Sequence, residues 1–318
     1  MLHDKSAGVR GTTLTYAPYP LTEDGAGLSL VSTTVTGTMG STVAHHLSER
    51  RSDRATLFLH GAAGSWSTWT PLLRAAEDSG SGIADPVLLD LPGWGAATLD
   101  PSPGPPTIDT VCELVRAAVL ELGYTRWDVV GHSMGGFIAM HLAARWPDEV
   151  QSVVMVSGTT WSLVDSVAHP ARKVWLLPHF SALWRIMVLL SALGATGHAL
   201  VRGMQAAGML RPVVVPLFRH PFRVSANVVD ALAREIRPPS FLAAVDITRG
   251  YSPSIAWAGI TCPVTALKGD RDALVRDSDL EELTRLIPAS RTVVVPDCGH
   301  FANIERPDAV LEAIAAHR

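Results

Sequence analysis

The sequence predicts an α/β protein: a doubly wound, mostly parallel sheet with a helical cap inserted into it. Two observations predict this. Short, nearly continuous apolar runs alternate with helical patterns along most of the chain, and the alternation stops between Thr159 and Ala256 before it resumes.

Taken in order, residues 1–27 form an N-terminal extension. From Leu28 to Val43 the chain is rich in β-branched residues and broken by Gly37 and Gly40, which predicts an antiparallel hairpin. Ala55–Leu59, Pro86–Leu89, Trp127–Val130, Val150–Val156 and Pro263–Leu267 are apolar on both faces, as strands buried in a parallel sheet are. Between two of them Val111, Leu114, Val115, Ala118, Val119 and Leu122 recur at steps of three and four. Thr107 is placed to cap that helix and Gly123 to end it. Pro101, Pro103, Pro105 and Pro106, with Gly104, make a stiff connection ahead of it. The core therefore comprises 28–158 and 257–318, and the cap 159–256. Right-handed crossovers in such a sheet put ligand sites beyond the carboxyl ends of the strands.

Composition narrows the function. With 318 residues, 47% of them hydrophobic, the chain can bury a large core. A net charge of −4 gives no basic field for a nucleic-acid partner. Cys112, Cys262 and Cys298 are too few and too scattered for a disulfide framework and have no metal-binding spacing. The first residues lack the apolar stretch of a secretory signal, so a cytoplasmic location is expected. The most apolar segment, Ile186 to Val201, is interrupted by Gly194, Gly197 and His198 and is too short to span a bilayer. Charge is unevenly spread. Thr159 to Ala256 carries ten Lys or Arg against four Asp or Glu, a charge of +6, which leaves −10 for the remainder.

Gly131-His132-Ser133-Met134-Gly135-Gly136 follows an apolar run and precedes a helical pattern, the setting of a nucleophile elbow. Side chains two residues before and after the serine would clash in so sharp a turn, hence the glycines. A serine hydroxyl needs an imidazole to take its proton. His300, in Gly299-His300-Phe301 after the run Thr292–Val295, lies at the same sheet edge as Ser133. Most other histidines fall in the hairpin, the cap or the chain end, and His132 should point away from its neighbour. The third member should be a carboxylate on another strand end. Asp270 and Asp272 both follow the run Pro263–Leu267, and either could reach the imidazole.

Five ordered blocks carry a resemblance: Leu59-His60-Gly61-Ala62, Asp90-Leu91-Pro92-Gly93-Trp94-Gly95, the serine segment, Gly269-Asp270-Arg271-Asp272 and Gly299-His300-Phe301. Together they resemble the α/β-hydrolase superfamily, in the group with a helical cap. The cap and the first thirty residues match nothing in that pattern. The resemblance implies Ser133, Asp272 and His300 as the catalytic triad, with backbone N–H groups of Met134 and Ala62, or alternatively Ala63, as the oxyanion hole. His60, Asp90 and Gly93 match positions that shape loops.

Trp66, Trp94, Trp161 and Phe301 are expected to border the substrate pocket, and Cys298 to be an inert core thiol. The large apolar side chains of the cap, Phe180 and Met187 among them, point to a hydrophobic acyl or alcohol group. The expected activity is hydrolysis of a carboxylic ester or lactone through an acyl-enzyme, with no metal or organic cofactor implied. Two alternatives stand beside it. The basic cap would suit an acyl-carrier protein and a thioester substrate, and a ligand-binding protein without turnover could keep the same fold. Carbon–carbon bond hydrolases and perhydrolases share the pattern, but the former often have tryptophan where Phe301 stands. Dehalogenases and epoxide hydrolases use an aspartate where Ser133 stands.

Overall fold

The computed structural model describes residues 15–100, 102, 104–170 and 175–317. Most of the N-terminal extension, and Pro101 and Pro103 of the proline-rich connection, lie outside the described residues.

Among the described residues, β-branched and leucine-rich runs produce eight strands: β1 Leu30–Gly37, β2 Gly40–Leu47, β3 Arg54–Leu59, β4 Pro86–Asp90, β5 Arg126–His132, β6 Val150–Val156, β7 Val264–Gly269 and β8 Arg291–Val295. They form one sheet in the order β1-β2-β4-β3-β5-β6-β7-β8. The first hairpin is antiparallel, with Gly37 paired to Gly40 at its tip. Its second strand runs to Leu47, beyond the Val43 that β-branching marked, because the alternating side chains of Val43–His46 pair with β4. From β4 to β8 every pairing is parallel.

Successive residues on these strands serve opposite faces, as the period of two requires. Leu57, Leu59, Val129 and Met155 pack into one cluster; Phe58, Val130, Val154 and Val156 pack into another on the far side. Helices Thr70–Asp78 (α1), Ile108–Glu121 (α2) and Met134–Arg145 (α3) alternate with the early strands. At the start of α2 the Thr107 hydroxyl accepts from the N–H of Thr110, and Gly123 past its end takes φ +84°.

Among the described residues seven α-helices then separate β6 from β7: Trp161–Ala168 (α4), Pro178–Ala192 (α5), Gly194–Ala206 (α6), Arg211–Val214 (α7), Ala226–Arg234 (α8), Pro238–Asp246 (α9) and Pro253–Ala256 (α10). Asp277–Leu286 (α11), Ala302–Glu305 (α12) and Pro307–Ala315 (α13) complete the chain. The helical insertion has its own apolar cluster, which includes Phe180, Met187, Val214 and Phe241 and extends to Phe301 and Ile304 beneath it. No helix among the described residues is long and apolar enough to cross a membrane.

The register aligns the carboxyl ends of the central strands. Leu59 pairs with Gly131, His132 with Val156, and Gly269 with Val295. The loops leaving those ends carry Ala62, Ser133, Asp272 and His300 on one edge of the sheet.

Candidate active site

Ser133 sits between the end of β5 and the first residue of α3 at φ +52°, ψ −116°. Few non-glycine residues adopt such a conformation, and it persists because the surroundings over-determine it. The Ser133 N–H donates to Val156 O (2.9 Å), and its carbonyl accepts from Gly136 (3.0 Å), Phe137 (3.2 Å) and Thr159 (3.0 Å). The flanking glycines are obligatory. A Cβ on Gly131 would lie 2.2 Å from Gly135 O, and one on Gly135 would lie 2.1 Å from Leu59 O.

His300 lies beside it in the same cavity. Its Nδ1 is 2.9 Å and 3.1 Å from the two carboxylate oxygens of Asp272, whose side chain is wholly buried. That carboxylate also accepts from the N–H groups of Leu274 (2.8 Å) and Val275 (3.2 Å), so its position is fixed before the imidazole is added. Asp270 goes elsewhere, accepting from the N–H of Cys298 at 3.1 Å. The two aspartates that sequence position leaves equivalent are therefore separated by geometry.

The Gly61–Gly64 turn, closed by a 3.1 Å bond, brings Ala62 and Ala63 to the wall of the cavity that Met134 also lines. No acceptor among the described residues takes the N–H of Ala62 or Met134. The cavity encloses about 100 Å³ and is mainly apolar, with Phe180, Leu183, Met187, Val214, Phe241 and Phe301 in its walls. A polar corner of Ser133, His300 and free N–H groups thus faces an apolar chamber, which suits a reaction that builds negative charge away from bulk water.

A model of the alpha/beta hydrolase family matches residues 56–313. The chain belongs to that family. Among its relatives is the pimeloyl-acyl-carrier-protein methyl ester esterase of Chromobacterium violaceum, 28% identical over 72% of this chain and 82% of the relative. Another is the 2-(acetamidomethylene)succinate hydrolase of Mesorhizobium japonicum, 26% identical over 84% of this chain and 88% of the relative. Of solved structures, the enol-lactonase from Burkholderia xenovorans LB400 shares the fold with a TM-score of 0.67, at 18% identity over 90% of this chain and 99% of that one.

In this hydrolase Ala62, Met134 and Phe301 line the cavity, whereas Trp66, Trp94 and Trp161 lie outside it. Trp66 is buried and stacks on His45 with ring centroids 4.2 Å apart. Trp94 is buried edge-on to His60, and the Trp161 indole N–H donates to Ser254. Trp66 and Trp94 turn into the core and Trp161 packs against its edge, so a position near the pocket in sequence did not make them wall residues.

His60 Nδ1–H donates to Gly61 O (2.7 Å) while its Nε2 accepts from the N–H of Leu91 (3.0 Å), tying two site loops together; burial holds its pKa below the usual value. Asp90 is buried and accepts from the N–H groups of Trp66 and Ala96, both at 2.9 Å. His132 points from Ser133 toward the His300 loop, donating from Nε2 to His300 O at 3.0 Å. Burial first, and then the nearby His300, push its pKa well down. Burial pushes the Cys298 thiol well up, which leaves it unreactive.

Two further groups have no local sequence signature. Glu305 is fully buried and accepts from the N–H groups on both sides of His300, Gly299 (2.8 Å) and Phe301 (3.0 Å), from Arg219 N–H (2.9 Å) and from the Tyr16 hydroxyl (2.6 Å). Burial raises its pKa although all four donors pull it down. His300 N–H in turn donates to Leu217 O (2.8 Å), so strap residues of the insertion clamp the imidazole loop. Arg237, in the cavity wall, donates to Gly93 O (3.1 Å) and Gly95 O (3.0 Å) and pairs with Glu235, which accepts from the N–H of Gly95. That guanidinium holds the insertion to the loop after β4.

Proposed function

We propose that this hydrolase cleaves a carboxylic ester or lactone with a hydrophobic acyl or alcohol part, through Ser133, His300 and Asp272. The observation that carries the reading is the His300 imidazole, bound through Nδ1 to the buried Asp272 carboxylate and sharing an apolar cavity with Ser133. With Nδ1–H donated to Asp272, the lone pair of Nε2 is the one left for the serine proton. Ser133 Oγ attacks the carbonyl carbon as Nε2 takes its proton. The N–H groups of Met134 and Ala62 hold the oxyanion, the imidazolium protonates the departing alcohol, and water cleaves the acyl-enzyme by the same steps. Asp272 holds the imidazole tautomer and stabilises the imidazolium. The apolar walls favour an acyl or alcohol chain without charge, and the ester named for the Chromobacterium relative supports the bond type.

Intact-mass analysis after treatment with a fluorophosphonate tests it. One adduct on the wild type, none on Ser133→Ala and slowed labelling of Asp272→Asn are expected. A folded wild type that takes no adduct would refute an activated serine.

A carrier-bound thioester is the second reading, favoured by the +6 charge of Thr159–Ala256 and by the carrier in the same relative's name. A rate on an acyl-carrier thioester that exceeds the rate on the matching soluble ester, and that falls with salt, would replace the first reading with this one.

A further inference from the structure

Between Asp165 and Asp230 the sequence contains no acidic residue but seven Lys or Arg. The same stretch holds eight of the twelve large hydrophobic side chains exposed among the described residues. Trp175 is 86% and Phe222 99% exposed. Arg211 and Arg219 of this stretch are paired with Asp230 and Asp297, but the exposed apolar side chains are not explained by packing within the chain.

The hairpin of α5 and α6 concentrates it. Gly194, at φ +52°, turns the chain, and a Cβ on Gly197 would lie 1.9 Å from Leu190 O, so the two helices touch there. The two faces of α5 differ in their partners. Phe180, Leu183 and Met187 look into the cavity, whereas Ile186, Leu189 and Leu193 follow at steps of three and four on the outer side, 48%, 62% and 46% exposed. Leu200 on α6 extends the outer stripe, and Arg185 and Arg202 flank it. Neither arginine forms an ion pair among the described residues.

We infer that the outer face of the α5–α6 hairpin docks on an anionic lipid surface, with Ile186, Leu189, Leu193 and Leu200 in the headgroup boundary and Arg185 and Arg202 among the phosphates. Charge decides the occupant. A second copy would bring two cationic, acid-free faces together, whereas an anionic bilayer complements both the charge and the apolar stripe. An acidic carrier protein would answer the charge but leave the aliphatic stripe uncovered. The hairpin lies on the membrane and does not span it: at 1.5 Å per residue, the 15 residues of α5 reach about 22 Å against a hydrocarbon core of about 30 Å. Binding stands whether or not Ser133 acts as proposed, because none of these side chains lines the cavity.

Cosedimentation of the full chain with mixed phosphatidylcholine–phosphatidylglycerol vesicles, and with pure phosphatidylcholine vesicles, tests this. Wild type should pellet with the anionic vesicles. Ile186→Glu with Leu189→Glu should lower that partition at least about tenfold while leaving hydrolysis of a soluble short ester unchanged. Arg185→Gln with Arg202→Gln should weaken binding to the anionic vesicles by roughly fivefold per arginine and leave binding to neutral vesicles alone. Wild type that stays in the supernatant with anionic vesicles overturns the inference, as does a glutamate variant that binds like wild type. A wild-type dimer that the glutamates dissociate, without lipid binding, would assign the face to a second copy.

Discussion

At the carboxyl ends of the strands, each group of the site is held by directional bonds from more than one element. Ser133 is fixed by β6 and by the first turn of α3, Asp272 by two N–H groups, and His300 by Asp272 through its ring and by Leu217 through its amide. Along the opposite wall, Phe180, Leu183, Met187 and Phe241 are held by apolar contact alone. Hydrogen bonds set position and angle; apolar packing sets volume and tolerates exchange at similar size. On the proposed mechanism, chemistry and substrate fit fall to regions of different stiffness, and substitutions in the two should separate kcat from chain-length preference.

The largest effect is expected at the serine. Ser133→Ala should lower kcat/KM for a p-nitrophenyl ester by on the order of 10⁵-fold. A loss under tenfold would remove the serine from the chemistry and with it the contrast between the regions. Next is Glu305, whose carboxylate grips the two amides that flank His300. Glu305→Gln should cut kcat by about 10- to 100-fold with KM nearly unchanged, as expected of a group that orients a reacting residue. Equal losses for kcat and for the folded fraction would make it merely structural.

On the wall, Met187→Ala should raise the ratio of kcat/KM for long over short acyl esters by roughly tenfold, because a removed side chain opens room worth one or two methylenes. No change in that ratio would mean that α5 does not set chain length.

The smallest effect is on stability in acid. Burial depresses the pKa of both His132 and His60 in the folded state. The unfolded chain therefore binds protons first as pH falls below about 6.5, and folding stability falls with it, by up to about 1.4 kcal/mol per pH unit for each histidine. Glu305 works the other way. Its raised pKa means that the folded state holds the extra proton above the ordinary carboxylate range, a contribution present in acid and lost as pH rises through the folded value. Urea unfolding at neutral pH and near pH 5.5 should give a clear drop in acid that His132→Asn reduces. A flat profile would contradict the burial argument.

The alternation of strands and helices was legible because β3 to β7 are buried on both faces and a helix such as α2 on one, which writes two distinct periods into the sequence. The serine segment and the His300 loop were legible because both are short and local. Asp270 and Asp272 were not separable by the same means: they share a turn, and only the amides of Leu274, Val275 and Cys298 divide their roles. Trp66, Trp94 and Trp161 misled for the opposite reason, since loop position says nothing about which way a large ring turns. Tyr16, Arg237 and Glu305 left no local pattern at all, because their partners lie on distant elements.

The bond from Tyr16 to Glu305 joins residues 289 apart, and the same hydroxyl accepts from the N–H of His220. Closing it requires the beginning of the described chain, the middle of the insertion and the last helices to meet. Contacts of such sequence separation form late in folding, because the loop entropy must be spent first. The imidazole loop should therefore be among the last parts to order. A chain that has been made as far as Ser133 still lacks β7, β8 and the Glu305 carboxylate that grips the His300 loop.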